Sequence, residues 1–434
     1  MQFVSTRNTE KETSFQEAVF QGLAPDGGLY RPTTTPDLTS LFHNLERDTP
    51  FSEMAKKVVH ALFSQELNTD ACARIAEKAF PFEPKLHSLT KNLSVLELFH
   101  GPSCAFKDFG ASFLATVMEE FLQGRSKRAI ILTATSGDTG SAVARAFYGK
   151  KYIDVVILYP SGRVSPLQEK QLTTLGGNIQ ALEVKGAFDD CQRMVKEAFV
   201  DPELSEKLPL TSANSINLGR LIPQSFYYMF AWMQTKNRNP NPVFCVPSGN
   251  FGNLTAGVYA WSWGLPIKHF IAATNINDIV PAYLLSSIYN PKASKHTLSN
   301  AMDVGDPSNF ERLTSIFDND WQKMKKMISG EVVTDAQTLE KISAIHKDYG
   351  YIADPHTAVG ITAAQRYLEK NTKDAVITLS TAHPGKFTEV VQEALKITPD
   401  LPNQLAEVLT KEKQSTEIRN SLEELRSFLL STYK

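Results

Sequence analysis

The sequence predicts an α/β protein with one or two largely parallel sheets, and two observations predict it. After residue 90, short apolar runs, several of them β-branched, alternate with amphipathic stretches. Apolar runs of this kind are typical of strands buried on both faces, and their alternation with helices is typical of a parallel sheet. The strand candidates are Ala129–Ala134, Ile153–Tyr159, Ile179–Val184, Val243–Val246, His269–Ala273 and Ala375–Leu379.

Helical spacing of apolar residues fills the intervals between these strands. The helix candidates are Phe109–Leu122, Ser141–Tyr148, Gln168–Leu175, Asp189–Phe199, Leu254–Trp263 and Thr357–Tyr367. Residues 285–330 are less regular and rich in Asn, Ser and Asp, which indicates an insertion or a mobile segment. A charged helix over about Thr416–Ser431 is expected on the outside.

Residues 1–90 are predicted to form a separate, mainly helical unit. Ser14 and Glu17 have the spacing of a capping box, which opens a helix over Phe15–Gln21. Two further helices are expected over Ser52–Gln65 and Asp70–Phe80, and the two prolines of residues 81–84 end the unit. The pattern allows these helices to dock either on the rest of the chain or on a partner chain.

Length and composition limit the functions that the chain can have. Its 434 residues suggest two or three domains, and 45 basic against 47 acidic residues predict no nucleic-acid or membrane partner from bulk charge. The four cysteines are far apart without a CxxC pair, which argues against a zinc site or a disulfide framework and fits a reducing cytosol. No apolar run is long enough to cross a bilayer, and residues 1–15 contain no basic-then-apolar signal region. The sequence therefore predicts a cytoplasmic protein.

The stretch Leu96–Ser112 contains the first candidate catalytic residue, Lys107. Its neighbours are apolar and aromatic, namely Phe99, Ala105, Phe106 and Phe109. Desolvation disfavours the charged form of a lysine in such surroundings and makes its amine available as a Schiff-base nucleophile. The alternative is an ordinary lysine whose ammonium reaches solvent.

Two loops follow predicted strands and precede predicted helices, which is an arrangement that binds anions. The first, residues 135–144, reads TSGDTGSAVA and includes Asp138, for which an N-cap role is the alternative. The second, residues 247–257, reads PSGNFGNLTAG, and its glycines let a phosphate approach the backbone. A structural turn is the alternative there, and neither a GK[ST] nor a GxGxxG motif is present.

Two more stretches place polar groups at strand ends. Residues 375–387 end a strand with Ser380 and Thr381, which could hydrogen-bond a ring nitrogen or could cap a helix. Residues 211–224 group the polar side chains Asn214, Ser215, Asn217 and Arg220. Arg220 could bind a phosphate or carboxylate in bidentate fashion, or could be an ordinary exposed arginine.

Four such loops fit one site better than four unrelated turns. A lysine nucleophile, a phosphate-binding loop, an anion-binding loop and a hydroxyl partner together indicate pyridoxal phosphate chemistry. The lysine would hold the aldehyde, the glycine-rich loop the phosphate, and the hydroxyl the pyridine nitrogen.

The motifs HGPSCAFKDFG, TSGDTG, SGNFGN and STAHPGKF, in this order, closely resemble the threonine synthase family. GLAPDGGLYRP, residues 22–32, is similar to the N-terminal domain of its longer subgroup. The resemblance runs from Ser5 to about residue 395. It implies a fold-type II, tryptophan synthase β-like enzyme, with two open parallel-sheet α/β lobes and a mainly helical N-terminal domain. The implied boundaries are 1–85 for the N-terminal domain, 86–400 for the catalytic region and 401–434 for a C-terminal helical extension.

The resemblance also implies roles for individual residues. Lys107 would form the Schiff base with pyridoxal 5'-phosphate, Asp138 would lie near its ring oxygen, and Thr381 (with Ser380 as the second candidate) would face the pyridine nitrogen. The cofactor phosphate would be bound by the backbone amides of Ser248, Gly249, Asn250, Phe251, Gly252 and Asn253. The substrate carboxylate would be held by the loop that contains Asp138, through Thr135, Ser136, Gly137 and Thr139. The substrate phosphate would meet Asn214, Ser215 and Arg220.

The implied reaction converts O-phospho-L-homoserine and water into L-threonine and phosphate. The chain would then be a lyase of amino-acid biosynthesis with a small-molecule substrate, acting as a monomer or homodimer. One alternative is a related phospho-lyase that acts on another phosphorylated amino compound and differs near Asn214–Arg220. Another is a pyridoxal-phosphate-binding protein without turnover. A nucleotide-binding enzyme is disfavoured because no loop carries the required Lys-Ser/Thr pair.

Overall fold

The computed structural model describes residues 1–124, 128–135 and 137–433. Its strands are β1 (Phe3–Ser5), β2 (Tyr30–Pro32), β3 (Lys85–Ser88), β4 (Leu93–Glu97), β5 (Ala129–Ala134), β6 (Ile153–Pro160), β7 (Ile179–Lys185), β8 (Leu210–Thr211), β9 (Val243–Pro247), β10 (His269–Thr274), β11 (Ile328–Val332), β12 (Val376–Ser380) and β13 (Thr416–Arg419).

The helices alternate with the strands after residue 100. They are α1 (Phe15–Gln21), α2 (Thr39–His43), α3 (Phe51–Phe63), α4 (Thr69–Ala79), α5 (Lys107–Leu122), α6 (Asp138–Phe147), α7 (Pro166–Thr173), α8 (Phe188–Val200), α9 (Pro202–Lys207), α10 (Leu218–Leu221), α11 (Gln224–Thr235), α12 (Gly252–Ser262), α13 (Ile279–Ser286), α14 (Phe310–Ile316), α15 (Trp321–Met327), α16 (Asp335–Tyr349), α17 (Pro355–Lys370), α18 (Thr388–Leu395), α19 (Asn403–Leu409) and α20 (Leu422–Thr432). Two 3-10 helices cover Asn300–Met302 and Pro384–Phe387.

Two largely parallel sheets form the frame. One has the strand order β11-β10-β9-β12-β4-β3, with only its edge strand β3 antiparallel to its neighbour. The other has the order β13-β7-β6-β5-β8 and is parallel throughout. Strand β5 is buried along its whole length, as the uninterrupted apolar run predicted. The predicted α/β class with two parallel-sheet lobes is confirmed.

The N-terminal unit is helical apart from the antiparallel pair β1 and β2. Helix α1 begins at the predicted position, and Ser14 and Glu17 form the capping box. The apolar side chains of the unit join one continuous core with those of α5 and α11. Phe80 lies at this junction, with its ring 6.2 Å from Phe109 and 6.0 Å from Phe226, centroid to centroid. The N-terminal helices therefore dock on the rest of the chain.

The structure contains several elements that the sequence analysis did not predict, among them β3, β4, α16 and α18, and three further differences concern the sheets and the buried core. Residues 285–330 contain α14, α15 and the first residues of β11, and β11 extends the six-stranded sheet beside β10. The C-terminal segment is not helical throughout, because residues 416–419 pair with β7 as strand β13 and the last helix begins at Leu422. Helix α11 was not predicted, because nearly all of it is buried and it lacks the polar face that reveals a helix in sequence.

The topology brings four loops to one region. Strands β4, β12 and β9 of one sheet and β5 of the other lead into the HGPSCAFKD, STAHP, SGNFGN and TSGDTG segments. The carboxyl ends of parallel strands are where open α/β sheets bind ligands. Within the described ranges, no helix combines the length and apolar character needed to cross a membrane.

We expect Phe80→Ala to lower the stability of the whole chain by about 3–5 kcal/mol, because it leaves a cavity at the junction of the N-terminal unit and α5. Thermal unfolding should show one transition at lower temperature. Leu285→Ala is the control, since this side chain is 78% exposed and its truncation should change stability by less than about 0.5 kcal/mol. Two separate transitions, with only the earlier one shifted by Phe80→Ala, would contradict a shared core.

Candidate active site

Lys107 is positioned by a pairing between two distant segments of the chain. Leu98 N–H donates to the Ser380 carbonyl at 3.0 Å, Phe106 N–H to the Thr381 carbonyl at 2.8 Å, and His383 N–H to the Cys104 carbonyl at 3.0 Å. Helix α5 begins at Lys107, directly after this pairing. Lys107 and Thr381 are 274 positions apart in sequence. They therefore lie together at the carboxyl ends of the neighbouring strands β4 and β12.

The surroundings of Lys107 favour its neutral amine. Although the side chain keeps some contact with solvent, the protein around it removes enough water to lower the pKa of Lys107 to about 8. The positive charges of Arg220 and Lys386 act in the same direction, and the carboxylate of Asp138 opposes them. An amine with this pKa is suited to nucleophilic attack near neutral pH.

The SGNFGN segment forms a cradle of free amides at the start of α12. Among the described residues, the backbone N–H groups of residues 249–254 find no protein acceptor. Phe251 has the left-handed backbone conformation, with φ of 60°, which turns the chain into the helix. Asn253 adds a buried side-chain N–H₂ without a partner, and its Oδ1 accepts from the hydroxyls of Tyr227 and Tyr228. Ser248 differs, since its amide donates to the Ala273 carbonyl at 2.8 Å and its hydroxyl to the Val246 carbonyl.

The TSGDTG loop turns sharply between β5 and α6. Gly137 has φ of 151°, and a Cβ there would approach the Gln168 side chain to 2.7 Å, so only glycine fits. The Thr135 hydroxyl accepts from the amides of Gly137 at 3.0 Å and Gly140 at 2.9 Å, so it stabilises the loop from within. Thr139 lies in the first turn of α6. Ser136 lies outside the described residues.

Asp138 is a buried carboxylate in the same loop. Its Oδ1 accepts from Lys386 Nζ at 2.8 Å and from Gln168 Nε2 at 3.0 Å. Burial raises the pKa of Asp138, but the ion pair with Lys386, the charge of Lys107 and the Gln168 hydrogen bond outweigh it and hold this pKa well below its usual range. The group is therefore an anion at any working pH.

Arg220 lies where α10 crosses α5. A Cβ on Gly110 would come within 2.5 Å of the Arg220 carbonyl oxygen, so this close crossing requires glycine. The Arg220 side chain is 2% exposed; Nη1 donates to the Ala213 carbonyl at 2.6 Å, and Nε is buried without a partner. Burial lowers the pKa of Arg220 to about 10, so it remains a cation near neutral pH. A buried cation with an unpaired donor has the chemistry that an anion-binding group needs.

The remaining predicted polar residues are engaged within the protein to different degrees. The Asn214 Oδ1 accepts from the Thr133 hydroxyl, and the Ser215 hydroxyl accepts from Asn250 Nδ2 at 3.2 Å. Ser215 therefore lies against the amide cradle. Asn217 is structural, since its Oδ1 caps α10 and its Nδ2 donates to the carbonyls of Val19 and Ser212.

Ser380 and Thr381 have different surroundings. The Ser380 hydroxyl is 2.8 Å from the Thr357 hydroxyl, which in turn donates to the buried carboxylate of Asp354. The Thr381 side chain is 7% exposed, and its hydroxyl has no hydrogen-bond partner within the part of the chain that the structure describes. Thr381 is thus the hydroxyl that remains available beside Lys107.

Sequence reasoning missed Lys386. This residue is part of the STAHPGKF motif, but it was not assigned a role, because lysine after a strand end is usually exposed. In the structure its side chain is fully buried and paired with Asp138. The signal available in the sequence was that the four motifs contain two lysines, Lys107 and Lys386, of which only the first was given a role.

The class of the chain follows from its match to known families, and the lysine of lowered pKa with a free hydroxyl beside it agrees with that class: the chain is a pyridoxal-phosphate-dependent enzyme. A family model described as Pyridoxal-phosphate dependent enzyme matches residues 85–381. Models described as Threonine synthase N terminus and Threonine synthase, C-terminal match residues 2–80 and 357–429. The chain belongs to the threonine synthase family, as the motifs indicated.

Relatives and solved structures agree with this family over the full chain. A threonine synthase from Haemophilus influenzae is 43% identical over 437 residues, covering 100% of both chains. The crystal structure of threonine synthase from Escherichia coli has a TM-score of 0.90 and 42% identity, covering 99% of this chain and 100% of that one. A PLP-bound threonine synthase from Brucella melitensis has a TM-score of 0.92 and 34% identity, covering 99% and 98%.

We expect the apoprotein to condense with pyridoxal 5'-phosphate at a rate that rises with pH and has a midpoint near 8. At pH 7 the free-amine fraction of Lys107 should exceed that of a surface lysine by roughly a few hundredfold. The measurement is the growth of visible absorbance between pH 6 and 10, followed by borohydride reduction and peptide mapping, with Lys107→Ala as control. A midpoint above pH 10, or labelling spread over surface lysines, would contradict the assignment.

Proposed function

We propose that this chain converts O-phospho-L-homoserine and water into L-threonine and phosphate, with Lys107 as the catalytic residue. One observation carries the proposal: a lysine with a lowered pKa lies in a site with two separate groups that can bind phosphate. One group is the cradle of free amides at residues 249–254, and the other is the buried guanidinium of Arg220. A phosphorylated cofactor and a phosphorylated substrate need two such groups.

The residues present fit pyridoxal 5'-phosphate. The free amides after Ser248, from Gly249 through Asn253, and the unpartnered Asn253 side chain supply donors for its phosphate. Thr381 would supply a neutral hydroxyl for the pyridine nitrogen, and Asp138, whose charge acts on Lys107, would lie near the ring oxygen. When bound, the cofactor supplies an electron sink for carbanion chemistry.

Lys107 has two tasks in this proposal. Its neutral Nζ would hold the cofactor. Once free, it would take protons from the substrate Cα and Cβ and return protons to Cα and Cγ, while water supplies the hydroxyl at Cβ and phosphate leaves from Cγ. General acid–base steps of this kind contribute typically about 10²–10⁴-fold in rate. A pKa of about 8 lets the same nitrogen lose and gain a proton near neutral pH.

The substrate is held at its two anionic ends. The TSGDTG loop, Thr135 to Thr139, meets the carboxylate, and its amides at Asp138 and Thr139 have no protein acceptor among the described residues. Asn214, Ser215 and Arg220 meet the phosphate. Two observations support the phosphate assignment. Arg220 Nε is buried without a partner, and the Ser215 hydroxyl accepts from Asn250 Nδ2 beside the amide cradle.

The proposal extends to the organisation of the chain and its location. We divide the chain into residues 1–85, 86–400 and 401–434, with the site between the two sheets of the middle part. The four cysteines are buried and free, which supports a reducing, cytoplasmic location. The partner is the small-molecule substrate, and a monomer or homodimer suffices, because all the groups named come from one chain.

We expect wild type to release phosphate and threonine in equal amounts from O-phospho-L-homoserine, and Lys107→Ala to lose this activity by about 10⁴-fold or more. The visible absorbance of bound cofactor should disappear in the same variant, while circular dichroism stays unchanged. Phosphate released together with a ketone or aldehyde, and no threonine, would identify a different phospho-lyase.

We expect Arg220→Lys to raise the KM for substrate and the inhibition constant for inorganic phosphate by about 10–100-fold, because the forked guanidinium donors are lost. Cofactor absorbance should be retained. The control is Arg128→Lys, whose side chain is 60% exposed and pairs with Asp154 at the surface. If both variants keep the wild-type KM, Arg220 is not a phosphate ligand.

A further inference from the structure

Lys386 is a buried cation that the reaction described above does not use. It lies in the 3-10 helix Pro384–Phe387, and its side chain has no solvent exposure. Its Nζ donates to Asp138 Oδ1 at 2.8 Å and to the Ser103 carbonyl at 2.8 Å. Burying an ammonium is costly unless it is paired, so this position needs a specific reason.

The ion pair crosses between the two lobes at the site. Lys386 and Ser103 follow strands β12 and β4 of the six-stranded sheet. Asp138 begins α6, directly after β5 of the five-stranded sheet. Gln168 Nε2 donates to the same carboxylate oxygen at 3.0 Å and fixes its orientation. Lys386 thus holds a residue of the opposite lobe beside Lys107.

The ion pair between Lys386 and Asp138 affects the charge of Lys107, because both groups act on that lysine. Asp138 favours a proton on Lys107, whereas Arg220 and Lys386 disfavour it. Three other titratable groups face Lys386, and they are Cys104, Asp108 and His383. Burial raises the pKa of Cys104 to about 12 and lowers that of His383, so both are neutral near pH 7. Burial also raises the pKa of Asp108 to about 6, and this carboxylate accepts instead from the Ser103 amide at 2.9 Å.

We propose that Lys386 is a positioning residue that serves as the counter-ion of Asp138 and thereby releases Lys107 from that role. Without Lys386, the nearest cation available to the Asp138 carboxylate would be Lys107 itself. The carboxylate would then hold a proton on the Lys107 nitrogen and oppose its use as nucleophile and base. This inference rests on the proposed attachment of the cofactor to Lys107.

The test is a pH titration of the visible absorbance of the holoenzyme without substrate, which reports the proton on the Lys107 nitrogen. Lys386→Met should raise the midpoint by at least one pH unit, a tenfold gain in proton affinity. Asp138→Asn should lower it by a similar amount, because Lys386 then acts unopposed. The double variant should return to within about half a unit of wild type, and Lys386→Arg, which keeps the charge, should stay near wild type.

The variants separate a positioning role from a structural one. A Lys386→Met enzyme with an unchanged midpoint overturns the proposal, whatever its activity or melting temperature, and so does a Lys386→Arg enzyme that shifts as far as Lys386→Met. If Lys386→Met does not fold, Asp138→Asn decides, and an unmoved midpoint in that variant overturns the proposal. A wild-type protein without a Lys107-dependent band refutes the proposed function itself, which is a different result.

Discussion

The backbone pairing between residues 98–106 and 380–383 is the constraint on which the rest of the site depends. It fixes the start of α5, and therefore Lys107, against the segment that carries Thr381 and Lys386. Because backbone hydrogen bonds make this contact, the relative positions of the two lysines do not depend on flexible side chains alone. Cys104 adopts a left-handed conformation with φ of 57° inside the pairing, a strained geometry that the surrounding structure holds in place.

The electrostatic balance of the site follows from that arrangement. Three cations, Lys107, Arg220 and Lys386, lie near two carboxylates, Asp108 and Asp138. Asp138 and Lys386 neutralise each other directly, and Asp108 offsets one of the two remaining cations, so the five groups carry one net positive charge when Lys107 is protonated. A site with this excess of positive charge attracts anionic ligands. The same desolvation that lowers the pKa of Lys107 strengthens these interactions, so the reactivity of the amine and the selection of anions have one physical cause.

The sequence predicted several elements that obey a local rule, and much of what it missed depends on distant contacts, although helix α16 was missed despite its capping box at Thr334 and Gln337. Strand β5 and helix α1 were predicted to the residue, because an uninterrupted apolar run and a capping box are local signals. Helix α11 and strand β13 were missed, because one is buried on nearly every side and the other is a strand only by pairing with β7. Lys386 stands in one of the recognised motifs, but its burial was missed, because its partner Asp138 lies far away in the sequence.

The N-terminal unit belongs to the site, and Arg312 shows why. This fully buried guanidinium donates to the carbonyls of Tyr30 at 2.9 Å and Ile216 at 2.8 Å, and to Asn309 Oδ1 at 2.6 Å. Three neutral acceptors satisfy a cation that has no carboxylate partner among these contacts, and burial lowers the pKa of Arg312 to about 10. The loop of Asn214 and Ser215 is thus fixed by β2 through Arg312, and by α1 through the Asn217 bond to the Val19 carbonyl. Helices that were open to docking on a partner chain instead support, from behind, the loop assigned to the substrate phosphate.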